Sequence, residues 1–368
     1  MNEEKKRILK MVEEGKLTVD EALVLLEELE KSSKTMKQKE EEIIGELSTV
    51  VNFDDTKKED YSNSQKFQSV KDKLFDFVDS ALKKIKDLDL DLNFAQSVEI
   101  SHVFQQADVY LKDMDVDIAN GSVKIIPWDQ NDVRVECEAK VHRVETQDEA
   151  RSSFLKDVTF AVEGQKLRFI VQQKWMKVNA VIYVPQSTYE TVRIRLFNGA
   201  ISSENLNINK YRVKTANGKI SLKKITSKSV EAETANGHIE VRSGKIDDFE
   251  AETINGAIKV DGSFKKLDVQ TFHGSIVCSV EDPYCERIEA KATTGNVKLY
   301  VPESAAISGQ LKSNLGGFDL DLSGVQVTDE KNDVVQKFVR FHSVKPSELV
   351  TKLDAETKTG SIAIKQVK

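Results

Sequence analysis

The sequence predicts a mainly β protein. The expected form is a single-stranded parallel β-solenoid of ~19-residue coils, preceded by an amphipathic capping helix and a small N-terminal helical hairpin. Three observations carry this reading. From about residue 92 onward, apolar and polar residues alternate. A glycine returns in a fixed setting, in RLFNGAIS, KTANGKISL, ETANGHIEV, ETINGAIKV, QTFHGSIVC and KATTGNVKL. The same residue types return at each position around that glycine.

The glycines are Gly199, Gly218, Gly237, Gly256, Gly274 and Gly295, with spacings of 19, 19, 19, 18 and 21 residues. Gly121 and Gly360 mark an earlier and a later copy, and Gly316 a degenerate one. Two residues after the glycine stand Ile201, Ile220, Ile239, Ile258, Ile276 and Val297. Seven before it stand Val192, Tyr211, Val230, Phe249, Leu267 and Ile288, and three before it Thr215, Thr234, Thr253 and Thr271. Ser203, four after Gly199, breaks an otherwise apolar position.

Asn-Gly between alternating strands is also the strongest local hairpin signal, so stacked hairpins are the alternative. Hairpins have no reason to hold one residue type at every offset of a 19-residue period. Stacked coils do, because equivalent positions touch. Inward positions then become apolar ladders. Asn198, Asn217, Asn236 and Asn255 become an amide ladder, and each glycine supplies a backbone angle that other residues resist.

Taken in order, residues 1–31 read as a helical hairpin. Ile8, Leu9 and Val12 give the first helix an apolar face, and Gly15 stands where a left-handed C-terminal residue belongs. Thr18 followed by Glu21 is a capping box for a second helix carrying Ala22, Leu23, Leu25, Leu26 and Leu29. A unit of this size is too small to be stable alone and is expected to dock. Residues 32–66 read as a flexible linker, polar and poor in apolar anchors, with room for a short helix around Glu41–Leu47. Residues 67–91 carry the amphipathic helix. Leu74, Phe75, Phe77, Val78, Leu82 and Ile85 fall with its other apolar residues in an arc of about 160°. Two roles are open for that face: capping the first coil, or contacting a membrane surface. Residues 92–368 form the repeat domain, with residues 140–190 and 321–356 fitting the period poorly. The chain ends eight residues after Gly360, so the last coil is expected to be uncapped and a candidate for self-association.

Composition bounds the function. There are 54 basic and 61 acidic residues, for a net charge of −7, which gives no basic face for nucleic acid. No window reads as a signal peptide or a membrane-spanning helix. The three cysteines, Cys137, Cys278 and Cys285, make no disulfide framework and fit a reducing compartment. The default location is cytoplasmic, with membrane association and a non-classical route to the surface left open. The five histidines show no metal-ligand spacing, and Cys278 and Cys285 do not form a CxxC pair. Asp247, Asp248 and Asp261 are close in sequence but at different offsets in their coils, so no calcium cluster follows. No nucleophile motif or phosphate loop is present. No catalytic residue, cofactor or metal is expected, and the chain reads as a non-enzyme.

The segment ILKMVEEGKLTVDEALVLLEEL resembles the short SHOCT-like helical module of bacterial proteins. DLDLDLNF, IANGSVKI, WDQNDV and the TANGxI repeats resemble a bacterial adhesin-like β-strand-repeat family of unknown function, in the YvlB/LiaX-like arrangement. The resemblance implies a link to the response of the cell envelope to antimicrobial peptides, with no catalytic residues to transfer. The leading expectation is thus a non-enzymatic binding and regulatory protein of the envelope-stress response, with a protein partner or self-association and peripheral membrane contact. The alternatives are a self-assembling, bactofilin-like structural rod and a surface adhesin or glycan-binding protein.

Overall fold

The computed structural model describes residues 2–45, 47, 96–333, 336–344, 347 and 349–367. The chain is mainly β, with an N-terminal helical region. Helix α1 spans Asn2–Glu13, α2 Val19–Gly45 and α3 Gln147–Asp157. The expected amphipathic helix at 67–91, with Leu74, Phe75, Phe77, Val78, Leu82 and Ile85, lies outside the described residues.

The repeat is solenoid-like. Each regular coil is a long strand, an Asn-Gly turn and a short strand, as in Asn207–Asn217 followed by Ile220–Lys223. The next coil lies parallel on it in register, with Thr215 opposite Thr234 and Ile220 opposite Ile239. This is why each offset keeps its residue type. The inward row of Val192, Tyr211, Val230, Phe249, Leu267 and Ile288 is fully buried. Removing each such side chain from water stabilises the stack by about 1.5–3 kcal/mol. The uneven spacings are absorbed at corners. The 18-residue step drops one residue between Val241 and Gly244, and the 21-residue step is taken up in the loop before Arg287. The corner after each short strand holds Asn205, Lys224 and Ser243 at φ 57, 51 and 53. That second turn keeps its backbone shape while changing its residue, which is why no motif marks it.

The order of coils departs from the order of the chain at both ends, so the stack is not a simple sequential parallel coil. The strand Asp113–Trp128 lies between Lys166–Val171 and Thr188–Asn198 on one face, and between Met176–Pro185 and Ile201–Glu204 on the other. At the far end, Thr351–Thr357 is inserted between Arg287–Thr294 and Ile307–Ser313. Ile362–Val367 is likewise inserted between Val297–Pro302 and Phe318–Asp321. The expectation of an uncapped last coil is therefore corrected: the last coil of the sequence is an internal coil of the stack. Beyond it, Ile307–Ser313 is followed by the antiparallel strands Lys337–Ser343 and Val325–Asn332.

The opposite end is closed by antiparallel strands and a helix, drawn in part from the stretch 140–190 that fits the period poorly. Val133–His142 pairs antiparallel with Met176–Pro185, and Ser97–Gln106 with Val133–His142. Helix α3 opens with a capping box between Thr146 and Glu149 and buries Ala150 and Phe154. Phe154 meets Phe104 with ring centroids 6.0 Å apart, and Phe104 stacks on Phe160 at 5.2 Å. Apolar aromatic surface thus replaces the missing next coil.

The N-terminal hairpin forms around Ile8, Leu17, Ala22, Leu25 and Leu29, with Leu315 of the repeat domain against it. Gly15 has φ 69, and the amide of Glu21 donates to Thr18 Oγ1 at 3.2 Å, as the capping box requires. Leu9 and Leu23 differ from expectation, since both are exposed. The linker boundary is also corrected. Residues 32–45 are helical, as the second half of α2. Low apolar content cannot hold a helix alone, but tertiary docking overrides it. Ile43 and Leu47 find a partner surface on the repeat domain, with Met36 and Ile44 packed beside them.

Candidate binding surface

The Asn-Gly turns form two parallel columns. In the first, the Asn198 amide donates to Asn120 Oδ1 at 2.8 Å, Asn217 to Asn198 at 2.8 Å, Asn236 to Asn217 at 2.9 Å and Asn255 to Asn236 at 2.8 Å. Beside it runs the glycine column, which Gly274, Gly295, Gly360 and Gly316 continue after Gly256. Where a threonine stands three before the glycine, it ties that turn to the glycine of the neighbouring coil. Thr234 Oγ1 donates to the Gly218 carbonyl at 3.1 Å, and Thr253 to that of Gly237 at 2.9 Å. Ser313 does the same to Gly360 at 3.0 Å, which makes Gly316 a full member of the repeat.

The expected reason for glycine, an unusual backbone angle, holds at Gly121, Gly199 and Gly295, with φ 139, 140 and 128, but not along the rest of the column. No such angle occurs at Gly218. What Gly218 shares with Gly199 is crowding: a Cβ there would overlap the carbonyl oxygen of the glycine one coil before. Close approach of backbones sets the residue type. These turns are structural, and their polar groups are spent on one another.

The outward positions of the long strands are chemically richer. Four and six residues before the glycine they carry charge in most coils, Gln270 being one exception. Arg195 pairs with Asp117 at 2.9 Å, Arg212 with Glu231 at 2.9 Å, and Lys214 with Glu233 at 3.0 Å. Arg287 and Lys291 both grip Glu289. Two residues before the glycine, the outward position is apolar instead. Phe197, Ala216, Ala235, Ile254 and Phe272 make one buried row. The inward offsets alone do not disclose it. The signal was present in the apolar residue preceding Asn-Gly: on an outward position, repeated over successive coils, it requires a cover.

The cover is α2. Ile43 and Leu47 lie on the row, and Lys39 reaches Glu252 at 3.0 Å. Farther along, the Asn314 amide donates to Glu28 at 2.5 Å, and Lys358 lies 3.7 Å from the same carboxylate. The spacing fits both structures. From Glu28 to Lys39 the helix advances about 16 Å, and the three coil steps from Glu252 to the Lys358 coil advance about 14 Å. The helix therefore runs along the stack.

Covering these carboxylates perturbs them. Burial pushes Glu233 up to about 7, with a hydrogen bond to Glu231 adding to the rise. Burial also raises Glu252. Burial opposes the charge on Lys39, but its hydrogen bond to Glu252 and the charges of Glu252 and Glu233 hold it above its ordinary value.

Elsewhere, a groove of about 720 Å³ follows a corner of the stack past Asn209, Ser227, Lys228, Asp247 and Lys265. Its charges are partly internal, since Lys265 pairs with Asp247 at 3.0 Å. Asp248 instead faces Lys266 at 3.6 Å, and Asp261 accepts from the Ser243 amide at 3.3 Å, so the three aspartates do not converge. Among the described residues, no group of three or more His, Cys, Asp or Glu side chains could hold a metal ion. Cys137, Cys278 and Cys285 are buried free thiols, pushed up to about 12 by burial. No described helix is long and apolar enough to cross a membrane.

Fold and surface define a repeat-built β domain bound along its outer face by its own N-terminal helix. A family model described as Toastrack DUF4097 matches residues 111–365, and a SHOCT-like domain matches residues 3–34. The chain belongs to the Toastrack DUF4097 family. It is 47% identical over 368 residues to the uncharacterized protein YvlB of Bacillus subtilis (strain 168), covering 99% of each chain. Solved structures with a similar course include a putative adhesin from Bacteroides fragilis NCTC 9343, at 12% identity and TM-score 0.32, covering 73% of this chain and 97% of that one. A putative lipid binding protein from Parabacteroides distasonis ATCC 8503 matches at 11% identity and TM-score 0.36, covering 73% and 97%.

Proposed function

We propose that this is a non-enzymatic binding and regulatory protein of the bacterial envelope-stress response. The observation that carries the binding and regulatory part is α2 itself. It joins the SHOCT-like hairpin to the repeat domain through an apolar row and a pair of charged contacts, at Lys39 and at Glu28. A surface built to receive a helix suits recognition of a protein. Perturbed carboxylates at functional sites often serve catalysis, but here they lie under a helix and against lysines, which supports a docking role. The link to envelope stress rests on the YvlB/LiaX-like resemblance of the sequence.

The test is a deletion strain challenged with a cationic antimicrobial peptide. Altered induction of envelope-stress genes is expected, restored by the intact gene. An unchanged response would set the reading aside. Protease treatment of intact cells addresses the adhesin alternative, for which full protection is the adverse result.

A further inference from the structure

The row of Phe197, Ala216, Ala235, Ile254 and Phe272 is apolar on a sheet whose other outward positions are charged or polar. Left bare, it would be a contiguous exposed stripe of the kind that marks interaction sites. What covers it holds by few contacts. In the second half of α2 and the residue after it described here, only Ile43 and Leu47 are fully buried apolar residues. The same cover takes two carboxylates, Glu233 and Glu252, out of water and returns one lysine to them. An interface made to be permanent would not bury acids where Ala or Leu would fit.

We propose that α2 is a displaceable strap, and that the row beneath it is the docking site for an amphipathic helix of another polypeptide. This rests on the binding reading above and names its site and partner. The required pattern can be read from α2. It places Met36 and Ile43 at i and i+7, with Lys39 at i+3 above Glu252, and Leu47 follows just beyond its end. The coil rise of ~4.8 Å against 1.5 Å per helical residue means any helix lying along the stack meets a new coil every three to four residues. The partner helix therefore needs apolar residues on one stripe and a basic residue beside it, and α2 is its built-in competitor. Glu233, Glu250, Glu252 and Asp268 on the sheet favour that basic residue at the edge of the stripe.

The experiment uses the full chain and a fluorescent peptide of residues 28–47 as the probe. Ile43→Asp with Leu47→Asp releases the strap. The peptide is expected to bind this variant about ten-fold or more tighter than wild type, because the site is vacant. Adding Ala235→Glu to the released variant should abolish binding. Equal affinity for wild type and variant, no binding to a variant that still unfolds cooperatively, or indifference to Ala235→Glu would each overturn the proposal. Hydrogen exchange on the wild type guards against a misfolded variant. Amides of residues 36–45 should exchange about ten-fold or more faster than those of residues 207–217, and faster again with excess peptide. Equal protection of the two segments would show a fixed helix and reject the strap. These outcomes are read on purified protein, so they are separable from the response of the deletion strain.

Discussion

Tyr211 and Ser203 share a hydrogen bond inside the stack, hydroxyl to hydroxyl, with both residues about 1% exposed. Ser203 is the one hydroxyl at a position that other coils fill with Ile, Leu, Val or Cys. Tyr211 is the one phenol in a row otherwise made of apolar side chains. The two exceptions are a single compensated pair, in neighbouring coils.

That pairing predicts a strong coupling. Tyr211→Phe or Ser203→Ala alone deprives the other buried hydroxyl of this bond and should cost about 1–3 kcal/mol. The double variant removes both polar groups and should cost less than the sum of the two. Urea unfolding of the four proteins in a double-mutant cycle measures this. Additive costs would mean the hydroxyls act independently.

The glycine column makes a prediction about crowding. Gly237→Ala puts a methyl group against the carbonyl oxygen of Gly218 in the coil before, and neither backbone can retreat without parting the ladder. A loss of about 3 kcal/mol or more is expected, beyond ordinary overpacking. Gly45→Ala, at the end of α2 with nothing within 4 Å, is the matched control and should be nearly neutral. Thermal unfolding of the two variants settles the comparison, and equal melting temperatures would refute the crowding account.

How far the sequence discloses this architecture depends on whether a feature repeats. The Asn ladder and the Thr and Ile rows are visible because Asn217, Thr234 and Ile239 meet copies of themselves one coil away. The corner at Lys224 is not visible, because its neighbours in the column are Asn205 and Ser243, which share only a backbone angle. The insertion of Thr351–Thr357 between Arg287–Thr294 and Ile307–Ser313 could not be read either, since every coil presents nearly the same edge. A repeat fixes what stacks but not the order of stacking. The sequence allows a short helix around Glu41–Leu47, but the continuity of α2 through residues 32–45 and its docking are hidden for a different reason. Its few apolar residues become meaningful only beside Phe197, Ala216 and Ala235, which lie far away in sequence.

Glu233 gives the outer face a pH dependence. Its ordinary value is 4.5, and burial raises it to about 7. The groups facing it are Glu231 and Lys214 on the strands and Lys39 from α2. A raised carboxyl favours the protonated form in the folded protein. Its contribution is therefore complete below about 4.5 and is lost as pH rises through about 7. Glu233→Gln keeps the shape and removes the titration. The variant should melt above wild type at pH 8, and the gap should close by pH 5. A gap that is constant across this range would show that Glu233 does not titrate there.

Truncation tests the order of the coils. Removing residues 345–368 from an uncapped end would leave a slightly shorter stack, folded and less prone to self-association. In the observed order, the same deletion removes Thr351–Thr357 and Ile362–Val367 from the interior of the stack. Arg287–Thr294 and Ile307–Ser313 then lose their shared neighbour, and Leu353, Ala355, Ile362 and Ile364 leave the core. Two unpaired edges and an apolar gap result, which is the combination that drives strand-to-strand aggregation. The truncated chain should lose cooperative thermal unfolding, followed by far-ultraviolet circular dichroism, and should sediment as aggregates. A truncated chain that stays monomeric and melts cooperatively would show that the last coil is terminal after all.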